Sequence, residues 1–566
     1  MTHFLRIADA IEDREPQLKV WVKQVREAAY DTADALDMYM LRLRYHHSTG
    51  FCQFVRKVSF FIMTLKARHQ IASEVKGIKS RIINISEGHQ RYSDIYGKIE
   101  QGSSSTHSDI TWQPLPRVHV SNVGRDDGFK AYYRIHDLWR EMIIAKSREQ
   151  SVVTIASERG RAWPEKLRRL SVHHNLEDIQ QSSCFTRLRS LLVFSATDSL
   201  SLLSKVASLG KGARLLTVLD LRGAKLDIFP NEIVKLFNLT YLSLRATNVN
   251  MIPKSIGKLK KLETLDLKQT NVTELPDEIL KLKHLRHLLL YRYNDARCYF
   301  PFHSTIGFKA PARIGSLLYL QKLCGIEANH GNDSGIVLRE VGKLTQLRRL
   351  LITMLQKEYG TMLCSSLEKL NNLRSLCVAA MEDEIIDLDS LSSPPQLLQR
   401  LYLRGRLEKI PHWIPSLHNL KSLHLKWSKL KDVDPLQSLH DLPNLLHLVL
   451  RTAYEGDGLF FKAGGFQKLK YLWLISLVGL KWVEVESSSM PLLEKLYLQD
   501  CKLMMELPSG VEHLANLKLL DLSDMSETLI SSLSRDLKGG DYWKIAHIPS
   551  VWVGDSKSGE WSGRII

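Results

Sequence analysis

Few residues in this chain stand in a pattern that does chemistry. His136 and Asp137, within AYYRIHDLWREM (131–142), put an imidazole beside a carboxylate where a helix begins. On their own they read as local packing, with Asp137 placing negative charge in the first turn of a helix over 138–149. The pairs His173–His174 and His284/His287 lack a further ligand at metal-binding spacing, so they read as surface histidines. No GxSxG and no HExxH occurs, which removes the commonest hydrolase and zinc-protease readings. The phosphate-cradling GxxxxGK[ST] is also missing: SLGKGARLL (208–216) has a Gly-Lys without the upstream Gly or the following hydroxyl. The expectation is a protein that is not an enzyme, with no metal site and no cofactor of its own.

Charge offers a second chemistry, which is recognition. The net charge is +17 with 78 Lys and Arg against 61 Asp and Glu, a balance that favours anionic partners without choosing among nucleic acid, lipid and acidic protein. Near the N-terminus the balance is local. Glu27, Asp31 and Asp34 follow helical spacing, with Asp37 beside them, as either a solvated stripe or a docking face for a basic partner. From Asp37 to Glu74 no acid occurs, while Arg42, Arg44, Arg56, Lys57, Lys66 and Arg68 alternate with Phe51, Phe54, Phe60 and Phe61. That pattern suits an anionic membrane surface or a helix hairpin with its rings inward.

The elements that would carry these groups follow from periodicity. Leu18, Val22, Val25, Ala29, Leu36, Met40 and Leu43 trace one helix face, and Ile71, Val75, Ile78, Ile82 and Ile85 a second. QGSSSTHSDITWQPLP (101–116) is a linker. The seven cysteines are scattered and form no CxxC, which argues for a reducing compartment. The N-terminus is charged throughout, and VSFFIMTL (58–65) is too short to span a bilayer. The expected location is cytoplasmic, at most peripheral to the plasma membrane.

From Leu216 onward a single pattern dominates. LTYLSLRATNVNMIPKSIGKLKK (from 239) and LETLDLKQTNVTELPDEILKLKH (from 262) align residue for residue, and the opening LxxLxL recurs to Leu517, most often every 22–27 residues. LRRLSV (167) and LRSLLV (188) are weaker copies. In LxxLxL the last two Leu flank one outward residue, as a short strand requires. The small residue three places on (Ala224, Thr247, Thr270, Cys501) fits a turn whose backbone groups it can satisfy. One unit cannot bury its own apolar face, but a stack can. The pattern is identified as a leucine-rich repeat, of the class that resembles intracellular plant proteins. The expected fold is an α/β solenoid, a horseshoe over 160–535. Its concave face would present Asp220, Ser243, Asp266, Leu289, His424, Val449, Trp473, Tyr497 and Asp521, a mixed set suited to protein binding. The long unit holding 291–315 reads either as a binding loop or as a loop packed on the stack. Trp543, Trp552 and Trp561 in 536–566 read as a cover for the last repeat.

Further stretches extend the resemblance. WVKQVREAAYDTADALDMYM (21–40) resembles the coiled-coil domain of plant nucleotide-binding leucine-rich-repeat immune receptors. Their acidic motif falls on residues 33–37, with Asp34 and Asp37 matching and Ala33 departing from it. YRIHDLWREM resembles the methionine-histidine-aspartate motif, with Ile135 in place of Met, and 117–136 resembles the end of a winged-helix domain. The resemblance implies a partial helical domain over 1–100 lacking its first helix, a winged-helix remnant over 117–150, and a central ATPase that has no room between Ser103 and Arg117. It implies a defence protein that binds a pathogen effector, a host protein or other receptors of its kind, docks its acidic motif on basic residues, and self-associates through the coiled coil. ADP or ATP, approached by His136, enters only if the missing domain exists. The alternatives are that nucleotide-switched receptor and a basic protein binding membrane or, less favoured, nucleic acid.

Overall fold

The computed structural model describes residues 154–156, 167–172, 187–194, 215–293, 305–328, 334–432, 434–534, 540–555 and 562–565, with a few helical positions between 24 and 83. The readings at Asp34, Asp37, His136 and Asp137, and the boundaries at 101–116 and 117–150, lie outside the described residues. Of the second expected N-terminal helix, Ser73, Lys76, Lys79, Ser80 and Arg81 are helical and exposed, as residues between its apolar positions should be.

The chain divides into two compact units, one of 1–172, 177–191 and 208–216, the other of 173–176, 192–207 and 217–566. In the first, β1 (Thr154–Ala156) runs parallel to β2 (Arg169–Val172). LRSLLV forms β3 (Ser190–Val193), where Leu191 and Val193 are fully buried.

The second unit is one parallel ladder. Its strands are β4 (Val218–Asp220), β5 (Tyr241–Ser243), β6 (Thr264–Asp266) and β7 (His287–Leu289). A small hairpin of β8 (Arg292–Tyr293) and β9 (Thr305–Ile306) then precedes β10 (Lys322–Glu327), β11 (Arg349–Leu355) and β12 (Ser375–Ala380). There follow β13 (Arg400–Arg404), β14 (Ser422–Lys426), β15 (His447–Arg451), β16 (Gly458–Phe461), β17 (Tyr471–Ile475), β18 (Trp482–Val485), β19 (Lys495–Gln499), β20 (Leu519–Ser523), β21 (Ser550–Asp555) and β22 (Ser562–Ile565). β16 and β18 pair with each other off the ladder.

The leucine spacing explains the ladder. Leu262, Leu265 and Leu267 are each fully buried, as are Leu420, Leu423 and Leu425, so every LxxLxL contributes three side chains to one continuous core. After the prolines the chain makes short 3₁₀ turns, Asn231–Lys235, Lys254–Lys258 and Asp277–Lys281, entered by Pro230, Pro253 and Pro276 at φ near −70° (−69°, −73°, −70°). The proline ring fixes that angle in advance. The turn residue behaves as its type requires: the Thr247 and Thr270 hydroxyls donate to Leu244 and Leu267 carbonyls at 2.7 Å.

Many of the strands are followed by one residue in the left-handed region. Gly223 serves at φ 70°, but elsewhere the position is Ala246 (56°), Gln269 (57°), Trp427 (55°), Thr452 (47°), Ser476 (51°) or Asp500 (54°). Of the long unit, 294–304 lie outside the described residues, and its two described ends lie on the stack. Phe308 is fully buried, its amide donates to the Gly325 carbonyl at 2.7 Å, and Arg292 Nη1 donates to Asn271 Oδ1 at 2.8 Å. The C-terminal cover is made differently from the expectation. β21 extends the ladder and β22 closes its edge antiparallel, while Ile545, Ile548 and Val551 are the buried side chains. Trp543 is 63% and Trp552 37% exposed, because the strand edge needed backbone partners before it needed rings.

Two substitutions follow from this geometry. Gly325 sits at φ +96°, and a Cβ there would meet the Leu290 carbonyl oxygen at 1.9 Å. Gly325→Ala should cost at least about 2 kcal/mol and lower the thermal midpoint. Thr452 holds a β-branched side chain in a left-handed turn, which costs about 1–2 kcal/mol. Thr452→Asn should raise the midpoint measured by the same melt.

Candidate functional site

The outward positions predicted from LxxLxL fall in one in-register row. Asp220 stands opposite Ser243, then Asp266, Leu289, Cys324, Leu351, Cys377, Tyr402, His424, Val449, Trp473, Tyr497, Asp521 and Trp552. Not every member is available for recognition. Asp220, Ser243, Asp266, His424, Val449 and Asp521 are buried, whereas Leu289, Trp473 and Tyr497 are partly exposed.

The polar members have local duties. Asp220 Oδ1 accepts the Arg222 amide and Asp266 Oδ1 the Lys268 amide, each at 3.1 Å, and Ser243 Oγ accepts the Arg245 amide at 3.5 Å. These are short side-chain caps on the strand end, the use to which Asp and Ser are best suited. Arg222 and Lys268 fold back over their carboxylates at 3.7 Å. At the far end the Ser523 hydroxyl donates to Asp521.

The centre is different. Tyr402 lies 4.3 Å from His424, His424 meets His447 edge-on at 4.9 Å, and Trp473 stacks on Tyr497 at 4.1 Å (ring centroids). The Ser422 hydroxyl joins the two imidazoles, 3.1 Å from His424 Nε2 and 3.4 Å from His447 Nδ1. Burial, then His447, Lys426 and Arg451, push His424 well below its usual range, and burial with Lys426 takes His447 to about 4. Both rings are therefore neutral at pH 7.

A reading restricted to the x between the last two leucines missed half of this face. Alternation puts the residues on both sides of each LxL on the same surface. That adds His447, Tyr471 and Arg400 before it and Arg404, Lys426 and Arg451 after it. It also reveals a basic tract along the strand starts: Lys322, Arg348, Arg349, Arg374, Arg400 and Lys421 are all exposed. The strands β11 to β15, β17 and β19 contain no Asp or Glu. At the flanks the charges are compensated, by Glu263 on Arg286 at 3.8 Å and by Glu494 between Lys470 (2.9 Å) and Lys518 (3.4 Å). Among the described residues no His, Cys, Asp and Glu group is set to hold a metal, and no helix is long and apolar enough to cross a membrane. Cys324, Cys364, Cys377 and Cys501 form no disulfide, and burial pushes Cys501 up to about 12.

The leucine-rich repeat region model matches residues 187–521, and the Rx N-terminal domain model matches residues 1–69. The chain belongs to the leucine-rich-repeat family of plant disease resistance proteins. It is similar to the disease resistance protein RPM1 of Arabidopsis thaliana, 36% identical over 462 residues, covering 80% of this chain and 48% of that protein. Against RPP8 of the same plant the identity is 29% over 440 residues, covering 74% and 46%. The chain thus spans about half the length of the curated resistance proteins it matches. Among solved structures, a leucine-rich-repeat protein of Leptospira interrogans is 22% identical, covering 65% of this chain and 90% of that one, with a TM-score of 0.42.

The histidine pair gives the repeat region a pH signature. His447 has its folded value below the ordinary 6.5, so its burial is tolerated fully above pH 6.5 and opposed as pH falls toward 4. The loss is roughly 3 kcal/mol by linkage, and His424 acts in the same direction. The thermal midpoint should fall between pH 7 and pH 4.5, and His447→Gln should reduce that fall.

Proposed function

We propose that this chain works in plant defence as a binding protein, recognising other proteins through the strand face of its repeats rather than catalysing a reaction. The observation that carries this is the continuous strand face from β4 to β21, in register apart from bulges in β10 and β11, whose central strands combine exposed cations with aromatic rings and hold no carboxylate. Protein interfaces are enriched in Arg, Tyr and Trp in the same way. The similarity to resistance proteins supports the defence setting. The recognised protein would be a pathogen effector, a host protein or another receptor of this family. The acidic motif at Asp34 and Asp37 would offer carboxylates to a basic partner, and the N-terminal helices would allow self-association. The scattered cysteines, with no CxxC among them, support a reducing, cytoplasmic location.

A second reading has a specific motive, since the matched relatives are about twice as long as the span they share with this chain. In a longer, nucleotide-switched form, His136 and Asp137 would approach the phosphates of ADP or ATP. The present chain, without a phosphate loop, should retain no labelled ATP in a filter-binding assay. Retention at micromolar nucleotide would overturn the non-nucleotide reading.

The binding reading is tested by capture from challenged leaf tissue with charge-reversed variants. Arg374→Glu with Arg400→Glu should lower recovery of the main partner about tenfold. Lys258→Glu with Lys281→Glu, on the 3₁₀ side, should leave it unchanged. Equal loss from both sides would sink the assignment of the strand face.

A further inference from the structure

We propose that one edge of the repeats, the row of turns from Phe237 to Tyr319, lies on an anionic lipid surface, with its lysines at the headgroups and its exposed apolar side chains in the interface. The inference goes beyond the protein-binding reading and uses a different side of the stack.

The row is set by the repeat. The 3₁₀ turns end in Lys235, Lys258 and Lys281, and a buried leucine follows each. The residue after that leucine is Phe237, Lys260 or Lys283, and Leu318 in the next unit, all of them exposed. The Lys260 amide donates to the Lys258 carbonyl at 2.9 Å, so both lysines project from one tight turn. Contacts between repeats join the members. Lys261 Nζ donates to Asn238 Oδ1, beside Phe237. The Lys281 stem lies over Gly257, where an added Cβ would stand 3.1 Å from Lys281 Cδ. Lys283 Nζ donates to Ser316 Oγ at 3.3 Å, two residues before Leu318. At one strand spacing per repeat the row from Phe237 to Leu318 is about 15 Å long.

Its charge is not balanced within the fold. Among the described residues no ion pair closes on Lys235, Lys258, Lys260 or Lys281. The acids of the same turns, Glu232, Asp277 and Glu278, stand at the opposite end, where the turn begins. One unit beyond Tyr319 the pattern stops, because Lys343 pairs with Glu340.

The apolar members stand at either end of the lysines. Phe237 is 42%, Leu318 57% and Tyr319 61% exposed. Exposed rings and aliphatic chains beside lysines are the composition of an interfacial surface: the apolar groups enter the headgroup boundary and the lysine stems reach the phosphates. Protein interfaces are depleted in Lys and enriched in Arg, and Arg is the residue of bidentate phosphate and base contacts. Long, unanchored lysines suit a fluid array of headgroups, which attracts each of them within a Debye length.

The test is co-sedimentation of the full chain with vesicles of phosphatidylcholine alone and of an equal mixture of phosphatidylcholine and phosphatidylserine. The mixed vesicles should carry the protein down, the neutral ones should not, and the bound fraction should fall as salt rises. Lys258→Glu with Lys281→Glu should weaken the partition at least about twentyfold, at about fivefold per lysine. Leu318→Ser with Tyr319→Ser changes only exposed side chains and should weaken it several-fold without altering the salt dependence. Melts of both variants should match the parent. Arg374→Ala with Arg400→Ala, on the strand face, should change vesicle binding less than about twofold. The lysine pair is also expected to keep protein capture, so failure here leaves the protein-binding reading standing. Equal pelleting with neutral vesicles overturns the proposal. So does full binding by both turn-edge variants, which would assign the lipid contact to another part of the chain. A thymidine oligonucleotide bound as tightly through the same lysine pair overturns it in favour of nucleic acid.

Discussion

Everything in the second unit depends on one constraint: a single LxxLxL turn has nowhere to put its leucines. Three apolar side chains on a strand of three to seven residues cannot be hidden by the turn that carries them. Each turn is therefore stable only against its neighbours, and the parallel ladder is the arrangement that lets every leucine meet the next in register. The constraint fixes the inside of the sheet so firmly that the outside is left free to vary. It also makes the last turn a problem, which β21 and the antiparallel β22 solve by occupying the open edge.

The ladder has a recurring local cost. To leave the strand, the chain places one residue in the left-handed region, and most often that residue carries a side chain. Packing of the leucines on either side is strong enough to hold Ala246, Gln269, Thr452 and even Trp427 there. Where two loops must also come into contact, side chains are no longer tolerated. Gly325 lies against the Leu290 carbonyl so that the segment ending in Phe308 can settle on the stack.

On the outer face, position along the ladder decides what a charge does. At the N-terminal strands Asp220 and Asp266 are spent on their own turns, each capping an amide and drawing back a cation. At the C-terminal flank Glu494 bridges two lysines. Between them the cations face outward along the strand starts or sit among imidazoles and rings that burial keeps neutral.

The sequence by itself determined the strands. LxxLxL repeats are legible because the leucine spacing is imposed locally by alternation and repeated without change, and the placement of β4 to β7, β10 to β15, β17, β19 and β20 follows from it. β21 was not legible, since PSVWVGD has no leucine signature and is recruited by the exposed edge of β20. The outward row was legible as a row, but not its burial: Asp220 and Asp266 spend their carboxylates two residues on, at Arg222 and Lys268, whereas the exposure of Trp473 and Tyr497 depends on neighbours 20 or more residues away. The same holds for Ser422 and His424 of one repeat and His447 of the next, which become one neutral, hydrogen-bonded group only when strands stack. Periodicity fixes which side of a strand a residue faces, whereas its charge state and exposure belong to the strands beside it, and only the tertiary structure brings those together.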